Sequence, residues 1–364
     1  MTFLTFILLI AGLVLLVIGA EALVRGASKL AAIAGISPLI IGLTIVAYGT
    51  SAPEMAVSVM SCLSGKVDIA VGNVVGSNIF NILFILGISS IVAPLIVAQQ
   101  LIRLDVPIMI GVSVLMFVFG LDGKISRVDG SILFIGGLVY TGYLIYQSRK
   151  NPEAAQEEFS EYTNTEERSP KVLLMSVGYI IVGLVLLVQG SRWLVDSSIE
   201  IAKALGLSEL LIGLTIVSAG TSLPELATSV VASMKGERDI AVGNVVGSNI
   251  FNILSVLGLS GFVSPDGITV SASIISFDAP VMIAVAAACL PIFITGNLIT
   301  RTEGILFMGY YVAYTIYLVL DSTKNLNLPM FNNVMLMLII PVTAILLGIA
   351  TWRDIKSGRR QRVS

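Results

Sequence analysis

Apolar residues run through this chain in blocks too long for a soluble fold. Eleven stretches are nearly free of charge, at about 3–24, 37–64, 69–95, 104–121, 128–147, 172–195, 208–234, 240–264, 274–297, 303–321 and 334–352. A helix needs about 20 apolar residues to cross the hydrocarbon core of a bilayer. A helix also satisfies its own backbone N–H and C=O groups, as lipid requires. The pattern therefore predicts an all-α polytopic membrane protein. The chain begins with an apolar run that has no basic segment before it, and we read that run as a first helix retained in the protein rather than a signal peptide. The long polar interruption, 148–171, is rich in glutamate and poor in large apolar residues, which predicts a linker between two five-helix units.

The two units share a repeat. Residues 39–83 and 210–254 align without a gap at a lag of 171, with 32 of 45 positions identical, and the block from Asp68 to Leu83 recurs letter for letter from Asp239 to Leu254. This sets the expected organisation: a first repeat over 1–147, a cytoplasmic linker over 148–171, a second repeat over 172–322, and an extra span with a basic tail over 323–364. Lysine and arginine favour cytoplasmic loops. With the N-terminus outside and the C-terminus inside, 15 of these residues fall on the cytoplasmic face and 6 on the outer face. Five helices per unit would insert the second copy upside down, and the charges agree. At the common lag Arg25 and Lys29 become Asp196 and Glu200, while Ser64 and Val67 become Lys235 and Arg238. Opposite insertion accounts for that reversal, and inverted repeats are the signature of secondary transporters that bind cargo near the midplane.

Composition narrows the function. Hydrophobic residues make up 56% of the chain and charged ones 12%, the mean hydropathy is +0.96, and the net charge of −2 comes with no basic stripe for nucleic acid. The expected surroundings are the lipid bilayer of the cell membrane, and no protein partner or cofactor is suggested. The absence of histidine removes imidazole metal sites and histidine proton relays. Cys62 and Cys289 lie in or beside apolar runs and read as small buried residues.

Against this background the intramembrane polar residues stand out. Glu54 and Glu225 each lie in a G-T-S-x-P-E segment, centrally in the second and seventh spans. An ionised carboxylate at that depth costs roughly 2.5 kcal/mol or more. Arg192 is the only basic candidate to pair with it and lies nearer a helix end, so a proton or a bound cation is the expected partner. Pro53 and Pro224 remove amide donors and disturb the carbonyls of Gly49 and Gly220, which a plain kink would also do. Freed carbonyls near 47–50 and 218–221, with the hydroxyls of Thr50, Ser51, Thr221 and Ser222, are good ligands for hard cations. On the third and eighth spans Asn73, Ser77 and Asn81, and again Asn244, Ser248 and Asn252, recur every four residues and so share one face. Interhelical hydrogen bonding is an equal reading for Asn73 and Asn244. Gly72 and Gly76, like Gly243 and Gly247, permit close approach of a neighbouring helix. Two carboxylates among carbonyl, hydroxyl and amide oxygens suit calcium, which takes six to eight oxygen ligands, and sodium can use the same atoms.

At these residues the chain resembles the calcium/cation antiporter superfamily, and its sodium/calcium exchanger family in particular. The resemblance rests on the paired G-T-S-x-P-E and G-N-x-x-G-S-N-I-F-N segments and extends over the first ten spans. It implies two inverted five-helix halves and an ion site of Thr50, Ser51, Glu54, Ser77 and Asn81 with the Ala47 carbonyl. The matching set is Thr221, Ser222, Glu225, Ser248 and Asn252 with the Ser218 carbonyl. Some members carry aspartate where this chain has Asn252, which speaks against potassium co-transport here and leaves two carboxylates. The implied activity is sodium/calcium exchange by alternating access, extruding calcium, with the long glycine-bearing first and sixth spans as sliding gates. Calcium/proton antiport on the same site is the alternative, and an intramembrane acid-base enzyme or a cation channel is a more distant one. The eleventh span lies outside the ten-helix pattern.

Overall fold

The computed structural model describes residues 3–65, 67–150, 170–204 and 218–361. Among the described residues nine helices are long and apolar enough to cross a bilayer, or ten if the bent pair Pro38–Thr50 and Ala52–Leu63 is one span. The seventh span is described from Ser218 onward, as the helices Ser218–Gly220 and Leu223–Met234. Each expected span is thus built mainly of helix where it is described. Most of the predicted linker, 151–169, lies outside the described residues.

Several boundaries differ from expectation. The first helix runs over Phe3–Ala34, ten residues beyond the apolar stretch, because no breaker intervenes before Gly35 at φ +64°. The sixth runs over Pro170–Ala204. Arg25 and Lys29 therefore ride on a continuing helix instead of a loop. Wider turns of π-helix interrupt the second, third, fourth, eighth, ninth and eleventh spans, and those in the third and eighth begin at Asn81 and Asn252. Apolar periodicity carries no signal for such a turn.

The first and sixth helices pack antiparallel through small residues. Gly12 faces Gly190 and Gly19 faces Gly183, so closely that a Cβ on Gly12 would sit 2.8 Å from the Gly190 carbonyl oxygen. The pairing is reciprocal at the 171-residue lag: Gly12 corresponds to Gly183 and Gly19 to Gly190. The two equivalent helices thus cross antiparallel through equivalent residues, the arrangement that a two-fold axis perpendicular to both would give. At their ends, Lys235 Nζ lies 3.0 Å from Glu21 Oε1 and Thr5 Oγ1 donates to Glu200 Oε1 at 2.8 Å.

Two short antiparallel ladders, unforeseen in the sequence, join the halves elsewhere. Leu95–Ile96 pairs with Leu298–Ile299, and Lys124–Ile125 pairs with Ile268–Thr269. Each ladder joins two loops that the eleven-span count assigns to the same face.

The most apolar stretch of the eighth span, Arg238–Val263, is entirely buried and that of the third, Ile69–Val92, largely so, whereas that of the eleventh, Leu328–Arg353, has no fully buried residue. Gly247 lets the eighth span meet the second backbone to backbone, since a Cβ there would lie 2.8 Å from Leu43 Cα. For Gly72 and Gly76 no atom of the described residues comes within 4 Å of such a Cβ. Both cysteines are buried free thiols.

Candidate ion-binding site

The site is built where two spans break. The helix ending at Thr50 and the helix starting at Ala52 meet at 46°, around Ser51 at φ −81°, ψ 9°. Ser222 adopts the same geometry, φ −89°, ψ 11°. Pro53 and Pro224 fall in the first turn of the following helix, where an N–H would have no intrahelical partner. Each proline starts a helix and does not simply kink a continuous one. The break puts Glu54 and Glu225 in the first turn of Ala52–Leu63 and Leu223–Met234, at helix ends whose exposed N–H groups favour negative charge. Both glutamates are fully buried.

Each half orders the carboxylate of the other. Ser51 Oγ donates to Glu225 Oε1 at 2.7 Å, and Ser222 Oγ donates to Glu54 Oε1 at 2.8 Å while lying 3.0 Å from Ser77 Oγ. Thr50 Oγ1 donates to Asn244 Oδ1 at 3.1 Å, and Thr221 Oγ1 to Asn73 Oδ1 at 3.3 Å. Asn73 Nδ2 donates to Ser58 Oγ at 3.0 Å and more weakly to the Glu54 carbonyl at 3.4 Å. Asn244 repeats this on Ser229 Oγ at 2.9 Å and the Glu225 carbonyl at 3.4 Å. Asn73 and Asn244 are therefore bound up in tying the broken spans together.

What these bonds leave open is the informative part. Glu54 Oε2, Glu225 Oε2, Asn81 Oδ1, Asn252 Oδ1 and Ser248 Oγ are buried and have no hydrogen-bond partner. Buried atoms of Ser89, Gln147, Ser148, Thr228, Arg238 and Ser260 are also without a partner, and what distinguishes the five is that they lie on the two glutamates and on the serine–asparagine stripe singled out from the sequence. Buried polar atoms are almost always paired, so five open oxygens from both halves make a set that a hard cation can satisfy. Among the described residues no third carboxylate or thiol joins the glutamates.

Some expectations need correction. The Ala47 carbonyl is not free: it accepts the Ser51 N–H at 3.0 Å and, more weakly, Thr50 Oγ1 at 3.4 Å. The Gly220 carbonyl, freed by Pro224, is taken by Ser191 Oγ at 2.7 Å. Arg192 is exposed and pairs with neither glutamate. Ser218 opens the described part of its span. Thr50, Ser51, Ser222 and Ser77 are gathered with the glutamates but engaged in hydrogen bonds.

The sequence reading passed over Asn78 and Asn249, both buried. Asn81 Nδ2 donates to Asn249 Oδ1 at 3.1 Å, and Asn252 Nδ2 donates to Asn78 Oδ1 at 3.1 Å. The signal was available, because each G-S-N-I-F-N block carries two asparagines, but they lie three residues apart and off the four-residue stripe. Asp105 was passed over as well. It is fully buried and accepts from Tyr140 Oη at 2.9 Å and Gln100 Nε2 at 3.2 Å.

Comparison with known proteins places the chain in a family. A family model described as sodium/calcium exchanger protein matches residues 4–148 and 175–320, which takes in both halves and leaves out the eleventh helix. The chain is similar to CaxA, a proposed antiporter of Alkalimonas amylolytica, with 41% identity over 87% of this chain and 98% of that one. It is similar to the sodium/calcium exchanger MaX1 of Methanosarcina acetivorans, with 33% identity over 86% of this chain and 98% of that one. Its structure is similar to that of the sodium-calcium exchanger NCX_Mj, with a TM-score of 0.73 at 29% identity, covering 86% of this chain and 98% of that one. With nine to ten membrane-length helices in its described residues, the chain belongs to the sodium/calcium exchanger protein family and is a multi-pass membrane transporter, a sodium/calcium exchanger or cation antiporter.

Proposed function

We propose that the chain exchanges calcium for sodium through one midplane site and extrudes calcium from the cell. The observation that carries this reading is the set of open oxygens on Glu54, Glu225, Asn81, Asn252 and Ser248. Ser51, Ser222, Ser77, Thr50 and Thr221 complete the shell with hydroxyl oxygens. The Ser218 carbonyl, and the Ala47 carbonyl through the lone pair its hydrogen bonds leave, are the remaining members of the set. One calcium ion neutralises the two carboxylates, and sodium ions do so by occupying the same oxygens in turn.

The empty site, with two unneutralised charges, would have to face low dielectric during a crossing, which is strongly unfavourable. Only the loaded site changes sides, and that couples the two fluxes. The 1–147 and 172–322 halves act as oppositely inserted repeats about the two-fold axis, with the N-terminus outside, the C-terminus cytoplasmic and 148–171 as a cytoplasmic linker. The antiparallel crossing of the first and sixth helices supports this. The two helices, packed closely on each other through glycines, act as the sliding gates.

The test is calcium-45 uptake into proteoliposomes under imposed gradients. An outward sodium gradient should drive uptake, and an outward proton gradient should not. Uptake driven by protons alone would replace sodium with protons as the counter-ion. Uptake indifferent to both gradients would overturn the antiporter reading.

A further inference from the structure

We infer that Asn78 and Asn249 are positioning residues that fix which end of the Asn81 and Asn252 side chains meets the ion. The inference rests on the ion site proposed above. A carboxamide presents an oxygen ligand at one edge and an N–H donor at the other, and the two edges have nearly the same shape. An asparagine in a cation site therefore serves only if something holds it the right way round, a problem that a carboxylate does not have.

Here the holding groups come from across the two-fold axis. The Asn81 amino group, from the first half, is taken by Asn249 Oδ1 of the second, and the Asn252 amino group by Asn78 Oδ1 of the first, each at 3.1 Å. The holders are themselves held. Asn78 Nδ2 donates to the Asn249 backbone carbonyl at 3.1 Å, and Asn249 Nδ2 points to Met109 Sδ at 3.5 Å. Because their Nδ2 groups are engaged in this way, Asn78 and Asn249 have only their oxygens to offer Asn252 and Asn81. The ligand asparagines must then turn their own oxygens inward, and these are two of the buried oxygens without a partner. Asn78 and Asn249 are both buried, 1% exposed, so water has little access to take over the role. The crossed pairing also makes each half specify a ligand of the other, so the amides are correctly turned only when the third and eighth spans are in register.

The test is a double-mutant cycle read by calcium-45 binding to the purified full-length protein. Asn249→Ala removes the acceptor and frees the Asn81 amide to turn, and affinity should fall about tenfold or more, the usual loss when a partner of a metal ligand is removed. Asn81→Asp presents oxygen in either orientation. In that background the same Asn249→Ala change should lower affinity by less than about twofold, a non-additivity that a packing role does not produce. An equal loss in both backgrounds would assign Asn249 to packing and overturn the inference, as would no loss in either. Glu54→Gln separates this from the site itself. Calcium binding unchanged in that variant refutes the proposed site, whereas abolished binding beside a silent Asn249→Ala refutes only the positioning role. The mirror pair, Asn78→Ala with and without Asn252→Asp, keeps the test open if one variant fails to fold.

Discussion

Two kinds of buried acid sit in this protein, and they differ in one respect. Asp105 is as fully enclosed as Glu54 and Glu225. Both its oxygens are satisfied, one by Tyr140 and one by Gln100. Its counterpart in the second half, Asp278, likewise accepts from a tyrosine, Tyr314, at 2.9 Å. Each glutamate receives one serine hydroxyl and keeps its other oxygen open. Burial alone therefore does not mark an ion site. A closed hydrogen-bond set fits a structural tie between helices, and open oxygens on two carboxylates fit the cation site proposed above.

The largest expected effect separates the two classes directly. Glu54→Gln and Glu225→Gln each remove half the site charge. A unit charge pair at 4 Å is worth about 4 kcal/mol at an effective dielectric near 20, so calcium uptake in proteoliposomes should fall at least ~100-fold while the protein still purifies as a folded species. Ser51→Ala and Ser222→Ala sharpen the comparison. Each removes the one bond that orders the opposite carboxylate, and a bond to a charged group contributes about 1.5–3 kcal/mol. Half-maximal calcium should rise roughly tenfold in flux assays, by similar factors for the two serines. The smallest effect belongs to the closed class. Asp105→Asn keeps the volume and the Tyr140 bond but sets an amide N–H against Gln100, so a melting curve should show about 1 kcal/mol of destabilisation. Exchange should stay within about twofold of the unaltered protein, and a loss comparable to that of the glutamate variants would put Asp105 on the ion path.

Much of this was legible in the sequence, for definable reasons. The spans could be read because lipid imposes a length and an apolar composition on each. The candidate ligand set could be put forward because a duplicated Glu54 and Glu225, and the stripe of Ser77 and Asn81 repeated at Ser248 and Asn252, are costly in lipid without a function, and the fold gathers these residues. The details of the breaks could not. Whether Pro53 kinks a helix or begins one depends on the φ and ψ of Ser51, which composition does not encode. The end of the first helix was misplaced because charge was read as a boundary, although Arg25 and Lys29 are compatible with a helix that continues past the apolar stretch. Asn78 and Asn249 were missed because their partners lie in the other half of the chain, and helical spacing reports only on residues sharing a face. The loop ladders, such as Leu95–Ile96 with Leu298–Ile299, are too short to leave an alternating pattern.

The central claim is that Glu54 and Glu225 belong to one site. Equilibrium calcium-45 binding to the purified protein tests it most directly. The account predicts one calcium bound per chain, displaced by sodium, and none at the same concentrations after either Glu54→Gln or Glu225→Gln alone. Two calcium ions per chain, with one surviving in each single variant, would mean that the halves bind independently and would contradict it.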